Sequence, residues 1–375
     1  MNQIYLDYNA STPIAQEVQE AMLPYLEKHY GNPSALHFAG VKEKQAVEHA
    51  RKQVAALINC KPSEIVFTSG ASESNNYVLK GVYQSYKEKG DHIITTKVEH
   101  PSIAQPSEYL EKQGAKITYI DVDQFGRINP FDIEQAITDD TILISVMHAN
   151  NEVVTIQPIE EISKIAKKYH VLFHTDASQS IGKVPVDVDK LNVDFLSIAG
   201  HKVYASKGIG ALFIREGVEI ESLVHGAGHE NGRRAGTENV LLSVGLGEAC
   251  EVAFQNLDEN KQVKELRDYF WNKLQDIPSI NISLNGHPEL RLPNTLNINF
   301  ENKIGQDILD SLPQIAASTG SACHTGEVNL SPVLKAMKVK ENSGMGAVRF
   351  SLGRYTTKNE IDTTVQLLKN YFLKE

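Results

Sequence analysis

A lysine in a glycine-rich turn is the residue whose surroundings most strongly suggest chemistry. Lys202 lies in SIAGHKVYASKGIGALFI (197–214), between two apolar, strand-like runs at 194–199 and 210–214. Turns that follow strands are where α/β enzymes place reactive side chains. Lysine forms Schiff bases with carbonyl compounds, and pyridoxal phosphate (PLP) is the commonest such cofactor. The segment therefore predicts a PLP lysine, and the alternative is an ordinary surface lysine.

Residues 68–73 could form a cradle for the phosphate of such a cofactor. The sequence Thr-Ser-Gly-Ala-Ser-Glu lies between a predicted strand, 65–67, and a helix predicted from Asn75 onward. Small residues let the backbone approach an anion, and the start of a helix points N–H groups at it. Gly70, Ala71 and Ser72 are therefore predicted to bind phosphate. A plain strand-to-helix turn with a serine cap is the alternative.

Polar residues that follow other predicted strands complete the candidate site. PLP acts as an electron sink only when its ring nitrogen is protonated, so a carboxylate should pair with it, and Asp176 is the candidate. Gln179 is predicted to donate a hydrogen bond to the ring phenolate, and His100 to lie flat on the ring and move protons. His201 is predicted to complete the phosphate shell. Turn or cap roles are the alternatives for Asp176 and His100, and an inert side chain is the alternative for His201.

Two further residues are candidates for contact with a substrate. Arg349 lies in an alternating segment, VRFSLG, where a fixed guanidinium suits an α-carboxylate and a structural ion pair is the alternative. Cys323 lies in the small, polar stretch AASTGSACHTGEVN. Because a buried structural cysteine would have apolar neighbours, a thiol beside His324 in such a loop is interpreted as a nucleophile. Cys60 and Cys250 lie in ordinary helical or turn contexts and are predicted to be structural.

Strands and helices alternate along most of the chain. Strands are predicted at 65–67, 92–95, 117–120, 141–147, 171–175 and 195–198. This alternation predicts an α/β fold with a large, doubly wound, mostly parallel sheet, whose ligands bind beyond the carboxyl ends of the strands. A chain of 375 residues is long for one core. We therefore predict a large PLP-binding domain at 14–257 and a smaller α+β domain made of 1–13 with 258–375, with residues 241–276 helical.

Composition excludes several classes of protein. A net charge of −10 argues against a nucleic-acid footprint, and 41% hydrophobic residues indicate an ordinary globular enzyme. No apolar run approaches the roughly 20 residues that span a bilayer, and the start, MNQIYLDYNAST, lacks the pattern of a signal peptide. The three cysteines have no metal-ligand spacing. We predict no metal, no direct nucleic-acid binding and no membrane association, and a cytoplasmic location.

Taken together, these segments resemble one family, the PLP-dependent cysteine desulfurases of the NifS/IscS type. This family belongs to the class V aminotransferase group with PLP fold type I. The resemblance runs nearly from end to end of the sequence. It is carried by YLDYNASTP, FTSGASESNN, VEHPS, MHANNEV, HTDASQSIGK, GHKVYASKGIGAL, RRAGTEN, STGSACHTG and RFSLGRYTT.

The resemblance implies a role for each residue that contacts the cofactor. Lys202 would form the Schiff base, and His100 would stack on the ring. The ring would be held by Asp176 and Gln179. The phosphate would be held by Ser72 and His201.

The resemblance also implies the reaction and the assembly. L-Cysteine would become L-alanine, with Asn151 and Arg349 binding the substrate carboxylate and Cys323 taking the sulfur as a persulfide for an acceptor protein. Thr237 would reach the phosphate of the neighbouring subunit, which implies a homodimer. Iron–sulfur assembly, tRNA thiolation and selenium metabolism are all open as uses of the sulfur.

Some positions depart from the usual pattern of the family. Ala199 stands where a phosphate-binding serine is usual, which removes one expected contact, and Ala205-Ser206 stand where Gly-Pro is usual. His324 and the following SPVL also resemble selenocysteine lyases, so that activity is the main alternative. A PLP-dependent aminotransferase and a catalytically silent binding relative are further alternatives, although the presence of both Lys202 and Cys323 argues against a silent protein.

Overall fold

The computed structural model describes residues 3–278, 280–319 and 329–373. Within these ranges the strands are β1 (Ile4–Tyr5), β2 (Ile65–Thr68), β3 (His92–Thr96), β4 (Lys116–Ile120), β5 (Thr141–Ser145), β6 (Leu172–Asp176), β7 (Phe195–Ala199), β8 (Gly210–Ile214), β9 (Ile282–Asn285), β10 (Thr295–Phe300), β11 (Ile315–Ala316) and β12 (Ala347–Ser351). The helices are α1 (Gln16–Glu27), α2 (Phe38–Ile58), α3 (Ala71–Tyr86), α4 (Pro101–Glu111), α5 (Pro130–Ala136), α6 (Ile159–Lys168), α7 (Val188–Leu191), α8 (Val240–Gln255), α9 (Asn260–Gln275), α10 (Gly305–Asp310), α11 (Pro332–Ala336), α12 (Glu341–Gly344) and α13 (Lys358–Leu373).

A seven-stranded sheet dominates the first two thirds of the chain. Its strand order is β2-β8-β7-β6-β5-β3-β4. Strands β3 to β7 run parallel, and β8 runs antiparallel to both of its neighbours. This arrangement agrees with the predicted mostly parallel sheet.

Helices cover both faces of this sheet, because successive strand residues point to opposite sides. Leu196 and Ile198 belong to one apolar cluster, which also contains side chains of α1, α2, α6 and α8. Phe195 belongs to a second cluster, which contains side chains of α3 and α4. All residues of β7 and β8 are buried, as expected for strands covered on both faces.

A second, smaller sheet stands on its own core. Strands β12, β10 and β9 form a three-stranded antiparallel sheet, and β1 pairs in parallel with β11. Ile4 and Leu6, near the start of the chain, share one apolar cluster with Phe270, Phe350 and Leu368. The boundaries at 14–257 and 258–375 stay predictions, although two sheets with separate cores agree with two units.

The structure corrects two predicted helix bounds. Residues 241–276 are not continuously helical, because α8 ends at Gln255 and a short 3₁₀ turn, Leu257–Glu259, precedes α9. The break has a physical reason: Cys250 of α8 packs in the core of the large sheet, whereas Phe270 of α9 packs in the core of the small one. The helix predicted from Asn75 begins earlier, at Ala71.

The described part of the chain contains no helix that is both long enough and apolar enough to cross a membrane.

Candidate active site

One cavity of about 600 Å³ lies at the carboxyl ends of the central strands. Its lining includes ten residues that the sequence analysis singles out: Gly70, Ala71, Ser72, His100, Asn151, Asp176, Gln179, His201, Lys202 and Arg349. They meet because the carboxyl ends of β2, β3, β6 and β7 reach the same edge of the sheet, and β12 contributes the arginine.

Lys202 lies in a short 3₁₀ turn, Gly200–Lys202, directly after β7. Its Nζ donates a hydrogen bond of 3.0 Å to the backbone oxygen of Asn9. Burial, together with the positive charge of Arg349, lowers the pKa of Lys202 to about 8. A lowered pKa leaves a larger share of the amine neutral near pH 7, and the neutral amine is the form that attacks a carbonyl carbon.

Asp176, at the end of β6, is a buried carboxylate held by three donors. Its Oδ1 accepts hydrogen bonds from the backbone nitrogen and the hydroxyl of Ser178, at 2.9 and 2.5 Å. Its Oδ2 accepts one of 2.8 Å from Asn75 Nδ2. These three donors fix the orientation of the carboxylate, whose oxygens can each accept a further hydrogen bond, as pairing with a protonated ring nitrogen requires.

Asn75 extends this network to His100. Its Nδ2 also donates to Ser102 Oγ at 2.8 Å, and that hydroxyl lies 2.8 Å from Nδ1 of His100. The backbone nitrogen of Ser102 donates to the same Nδ1 at 3.1 Å. Nδ1 is therefore an acceptor, which assigns the proton of the neutral ring to Nε2. Burial lowers the pKa of His100 and keeps the ring neutral.

Gln179 is oriented by a lysine that the sequence analysis did not single out. Lys183 Nζ donates to the backbone oxygen of Gln179 at 2.9 Å and to its Oε1 at 3.2 Å. The amide nitrogen of Gln179 then faces Asn9, whose backbone oxygen accepts it at 3.1 Å. Burial and the cations Lys202 and Arg349 lower the pKa of Lys183 to about 7. The amide therefore presents a donor, as the predicted bond to a phenolate requires.

The predicted phosphate cradle depends on two glycines. Gly70 has a φ of 150° and precedes α3, and a Cβ atom placed on it would meet no atom within 4 Å. A Cβ atom on Gly210 of β8 would lie 2.7 Å from the Cα of Gly70 and 2.5 Å from the oxygen of Ile198. Glycine at 210 therefore lets the turn approach the sheet closely, which leaves open space above Gly70 for an anion.

Two salt-bridged residues fix the outer edge of the cradle. Arg234 Nε lies 2.9 Å from Glu73 Oε1, and the backbone nitrogen of Ser69 donates to Glu73 Oε2 at 2.8 Å. Burial works against the charged carboxylate, but the bonds from Arg234 and Ser69 outweigh it and lower the pKa of Glu73. The loop that carries Arg234 is thereby attached to the start of α3.

Two buried nitrogen atoms in the cavity lining have no protein partner in the described part of the chain: Nδ1 of His201 and Nε of Arg349. Burial and the nearby Lys202 lower the pKa of His201 to about 4. Buried polar atoms without partners are rare in proteins and point to a ligand. With the glycine cradle and the lysine amine, they fit the phosphate, the carbonyl carbon and the substrate carboxylate of a PLP site.

Arg349 is held on two sides. One terminal nitrogen donates to the backbone oxygen of Asn151 at 2.9 Å, and the other lies 2.8 Å from Asp7 Oδ1. Asn9 Nδ2 also donates to the oxygen of Asn151, at 3.3 Å. The first residues of the chain therefore help to build the cavity, a contribution that the sequence analysis missed.

Other predicted residues lie away from this cavity or outside the described ranges. Thr237 is exposed and is not part of the cavity lining. Cys323, with His324, lies outside the described residues. Burial raises the pKa of Cys250 to about 12 and also raises that of Cys60, which agrees with structural roles for these two thiols. Ala199 is buried at the end of β7 and adds no hydroxyl to the cavity.

Comparison with known proteins shows the family to which the chain belongs. The profile of the family described as Aminotransferase class-V matches residues 4–364, so the chain belongs to the class-V aminotransferase family. It is 48% identical to "Cysteine desulfurase IscS" of Dictyoglomus turgidum, over 99% of this chain and 95% of that protein. It is 46% identical to the protein of the same name in Methanosarcina thermophila, over 97% and 91%.

Solved structures give the same result. A structure titled "NIFS-LIKE PROTEIN" matches with a TM-score of 0.94 and 36% identity, covering 100% of both chains. Another, "SspA in complex with cysteine", matches with a TM-score of 0.83 and 37% identity, covering 94% of this chain and 100% of that one. These findings confirm the expected fold, the PLP dependence and the cysteine desulfurase activity, and they give no support to the selenocysteine lyase alternative.

Proposed function

We propose that the cavity residues divide the work of converting L-cysteine to L-alanine and a protein-bound persulfide. The observation that carries this proposal is that Lys202, Asp176, His100 and Arg349 line one cavity although they come from distant parts of the chain. Each brings the chemistry that one part of a PLP-bound amino acid needs: an amine, a carboxylate, a neutral imidazole and a guanidinium.

PLP, when bound, supplies an electron sink beside the α-carbon of an amino acid. Lys202 attaches the cofactor, and Asp176 pairs with its ring nitrogen. Gln179 donates to the phenolate, and His100 lies against the ring. The phosphate is held by Gly70, Ala71, Ser72 and His201, with Thr237 serving the phosphate of a second subunit.

The chain's own groups then handle the substrate. Arg349 and Asn151 hold the α-carboxylate, which fixes the sulfur-bearing carbon of L-cysteine in the cavity. Lys202 and His100 move protons, since burial lowers the pKa of both groups and so raises the share of each that is neutral near pH 7. The thiolate of Cys323 attacks the substrate sulfur, and the bond between that sulfur and Cβ breaks with its electron pair left on the organic part. Protonation of that part gives L-alanine, and the sulfur stays on Cys323 as a persulfide.

A homodimer is the proposed assembly. Thr237 is exposed and lies outside the lining of its own cavity, as a residue serving a second subunit would. Near the start of α2, the side chains of Tyr30, Leu36 and Phe38 are 92%, 96% and 87% exposed. Large exposed apolar side chains so close together in the sequence indicate an interaction surface, and a second copy of the chain is its proposed occupant.

The dimer can be tested by light scattering after size-exclusion chromatography. The double variant Leu36→Asp with Phe38→Asp should elute as a monomer. The matched control is Phe131→Asp, since Phe131 is also exposed, at 58%, but lies elsewhere on the surface. A wild-type chain that is monomeric at micromolar concentration would contradict the dimer.

The persulfide is proposed to pass to a sulfur-acceptor protein in the cytoplasm. A reactive thiol that must stay free suits a reducing compartment, and the chain has three cysteines in total. Iron–sulfur cluster assembly is the proposed use of the sulfur, with tRNA thiolation and selenium metabolism as alternatives. Mass spectrometry of proteins captured by the wild type and by Cys323→Ala would distinguish these uses.

The central experiment measures alanine and persulfide together. Purified holoenzyme is incubated anaerobically with L-cysteine, alanine release is quantified, and peptides are searched for a dithiothreitol-labile persulfide on Cys323. Lys202→Ala and Cys323→Ala should both abolish alanine release, whereas Cys60→Ala should keep it. Negligible cysteine turnover without a persulfide on Cys323 would refute the proposal, particularly if selenocysteine is turned over rapidly.

A further inference from the structure

Asp7 is a largely buried carboxylate that contacts the site only through Arg349 and has no role in the proposed function. Its Oδ1 lies 2.8 Å from a terminal nitrogen of Arg349, and the two side chains are 17% and 10% exposed. Its Oδ2 accepts a hydrogen bond of 2.9 Å from Ser318 Oγ. The carboxylate therefore joins the start of the chain to β12 and to the segment after β11.

The hydrogen-bond donors of Arg349 show what this contact does. A guanidinium carries five N–H groups. One terminal nitrogen is engaged by Asn151 and the other by Asp7, while the buried Nε has no partner in the described part of the chain. Arg349 lines the cavity and is 8% exposed. Each terminal nitrogen has one partner within the described ranges, so its second hydrogen is what an incoming carboxylate can bind.

Asp7 also supplies the countercharge of this guanidinium. An unpaired buried charge is costly, and a long side chain that loses its anchor gains rotamer freedom. The backbone of Arg349 is already fixed, since its nitrogen donates to the oxygen of Ser318 at 2.7 Å. The side chain, by contrast, is oriented by Asp7 and by one neutral carbonyl oxygen.

We propose that Asp7 is a positioning residue for substrate recognition: it holds the Arg349 guanidinium in the lining of the cavity, and it thereby sets the affinity for an α-carboxylate. This inference rests on the proposed function of Arg349 as the carboxylate ligand. Asp7 itself does not contact the substrate. Removing the Asp7 carboxylate should lower the affinity for ligands that carry a carboxylate. It should leave the affinity for ligands without one unchanged.

The test compares two probes that differ by one carboxylate. Holoenzyme is titrated with L-alanine or with ethylamine while the visible absorption of the bound cofactor is followed, so the readout is binding and not turnover. Asp7→Ala should lower the affinity for L-alanine by about 10-fold, which is within the range of coupling energies between contacting residues. It should change the affinity for ethylamine by less than about 2-fold. Asp7→Asn keeps the shape but loses the charge, and it should weaken L-alanine by a smaller factor.

Two further variants separate the inference from the proposal beneath it. Arg349→Gln should also weaken L-alanine, and adding Asp7→Ala to Arg349→Gln should change little more, because Asp7 acts through the arginine. The matched control, Ser318→Ala, removes the second partner of Asp7 and leaves the ion pair intact, so it should bind both probes normally.

Each outcome decides one question. If Arg349→Gln leaves L-alanine affinity unchanged, the proposed role of Arg349 fails and this inference fails with it. A second case is that Arg349→Gln lowers the affinity for L-alanine but both Asp7 variants bind L-alanine normally or more tightly. A third is that the Asp7 variants lose affinity for ethylamine as much as for L-alanine. In either case the positioning role of Asp7 is wrong while the role of Arg349 stands. Should Asp7→Ala not fold, Asp7→Asn decides by the same criteria.

Discussion

The side chain of Lys183 leads to the prediction that its removal stabilises the protein. The ammonium group is partly buried beside the active-site cavity, and its hydrogen-bond acceptors are the two neutral oxygens of Gln179. Burial and two nearby cations lower the pKa of Lys183 from 10.5 to about 7. The protein therefore destabilises the charged form of this lysine, and we predict that Lys183→Met raises the free energy of unfolding near neutral pH.

The expected size follows from the pKa and the contacts. A shift from 10.5 to about 7 corresponds to at most about 5 kcal/mol, at roughly 1.4 kcal/mol per pKa unit. The Lys183 side chain is only half-buried, and solvent screens about half of this penalty. Two hydrogen bonds worth about 1 kcal/mol each are lost with the substitution. The net gain for Lys183→Met at pH 6.5 is therefore about 0.5 kcal/mol.

The pH dependence gives the prediction its sign. The folded pKa lies below the unfolded one, so between about pH 7 and pH 10.5 the unfolded chain binds more protons than the folded chain, and wild-type stability rises with pH. Below pH 7 both states are charged and the penalty is fully present. The advantage of Lys183→Met should therefore be largest at pH 6.5 and should vanish or reverse near pH 10.

Urea unfolding of the cofactor-free protein at pH 6.5 and pH 9.5, followed by circular dichroism, is the assay. Removing the cofactor keeps cofactor affinity out of the stability comparison. Lys112→Met is the matched control, since Lys112 is exposed on the surface, and it should give the same small change in stability at both pH values. A loss of stability in Lys183→Met at pH 6.5, or a gain that does not shrink with pH, would refute the reasoning.

Three further predictions follow from buried contacts. Asp176→Asn should still bind PLP, but its kcat for alanine formation should fall about 10- to 200-fold. The reason is that one charged hydrogen bond is worth about 1.5–3 kcal/mol. An unchanged kcat would count against the role of Asp176 at the ring nitrogen. Glu230→Gln should lower the free energy of unfolding in urea by about 3 kcal/mol. The reason is that Arg51 loses its buried countercharge; Arg51 lies 2.6 Å from Glu230 and is 3% exposed. A loss below about 1 kcal/mol would contradict this. Gly210→Ala should weaken PLP binding more than about 10-fold, because the added Cβ would push Gly70 away. Absorbance titration measures this affinity, and a normal value would show that the cradle tolerates the shift.

Matched controls for these three variants exist in exposed positions. Asp132→Asn changes a carboxylate on the surface and should leave kcat unchanged. Glu216→Gln breaks the exposed ion pair with Lys61, whose side chain is 66% exposed, and should cost little stability. Gly228→Ala adds a Cβ where no atom lies within 4 Å, so PLP affinity should stay normal.

The general class of fold could be predicted from the sequence because its signals are local. Apolar strands alternate with helices, and parallel strands bring residues that follow them to one edge of the sheet. That rule alone places His100, Asp176 and Lys202 in one cavity. The resemblance to known desulfurases added the role of each residue and the activity.

Helix bounds were less well predicted, because packing decides where a helix ends. The apolar periodicity continues from α8 into α9, so the sequence gives little warning of the break at residues 256–259. The break is imposed by two separate cores, which Cys250 and Phe270 join on either side of it. A local pattern does not show which core each half will enter.

Only the tertiary structure decided which residues support the site. Asp7 meets Arg349 and Asn9 meets Lys202 across sequence separations of 342 and 193 residues, and no spacing rule links positions so far apart. Lys183 is near Gln179 in sequence, but only the fold shows that its ammonium group is partly buried and contacts the Gln179 amide oxygen. The sequence determines which chemical groups are present and which follow strands. Their pKa values, orientations and partners depend on burial and long-range contacts, which exist only once the chain has folded.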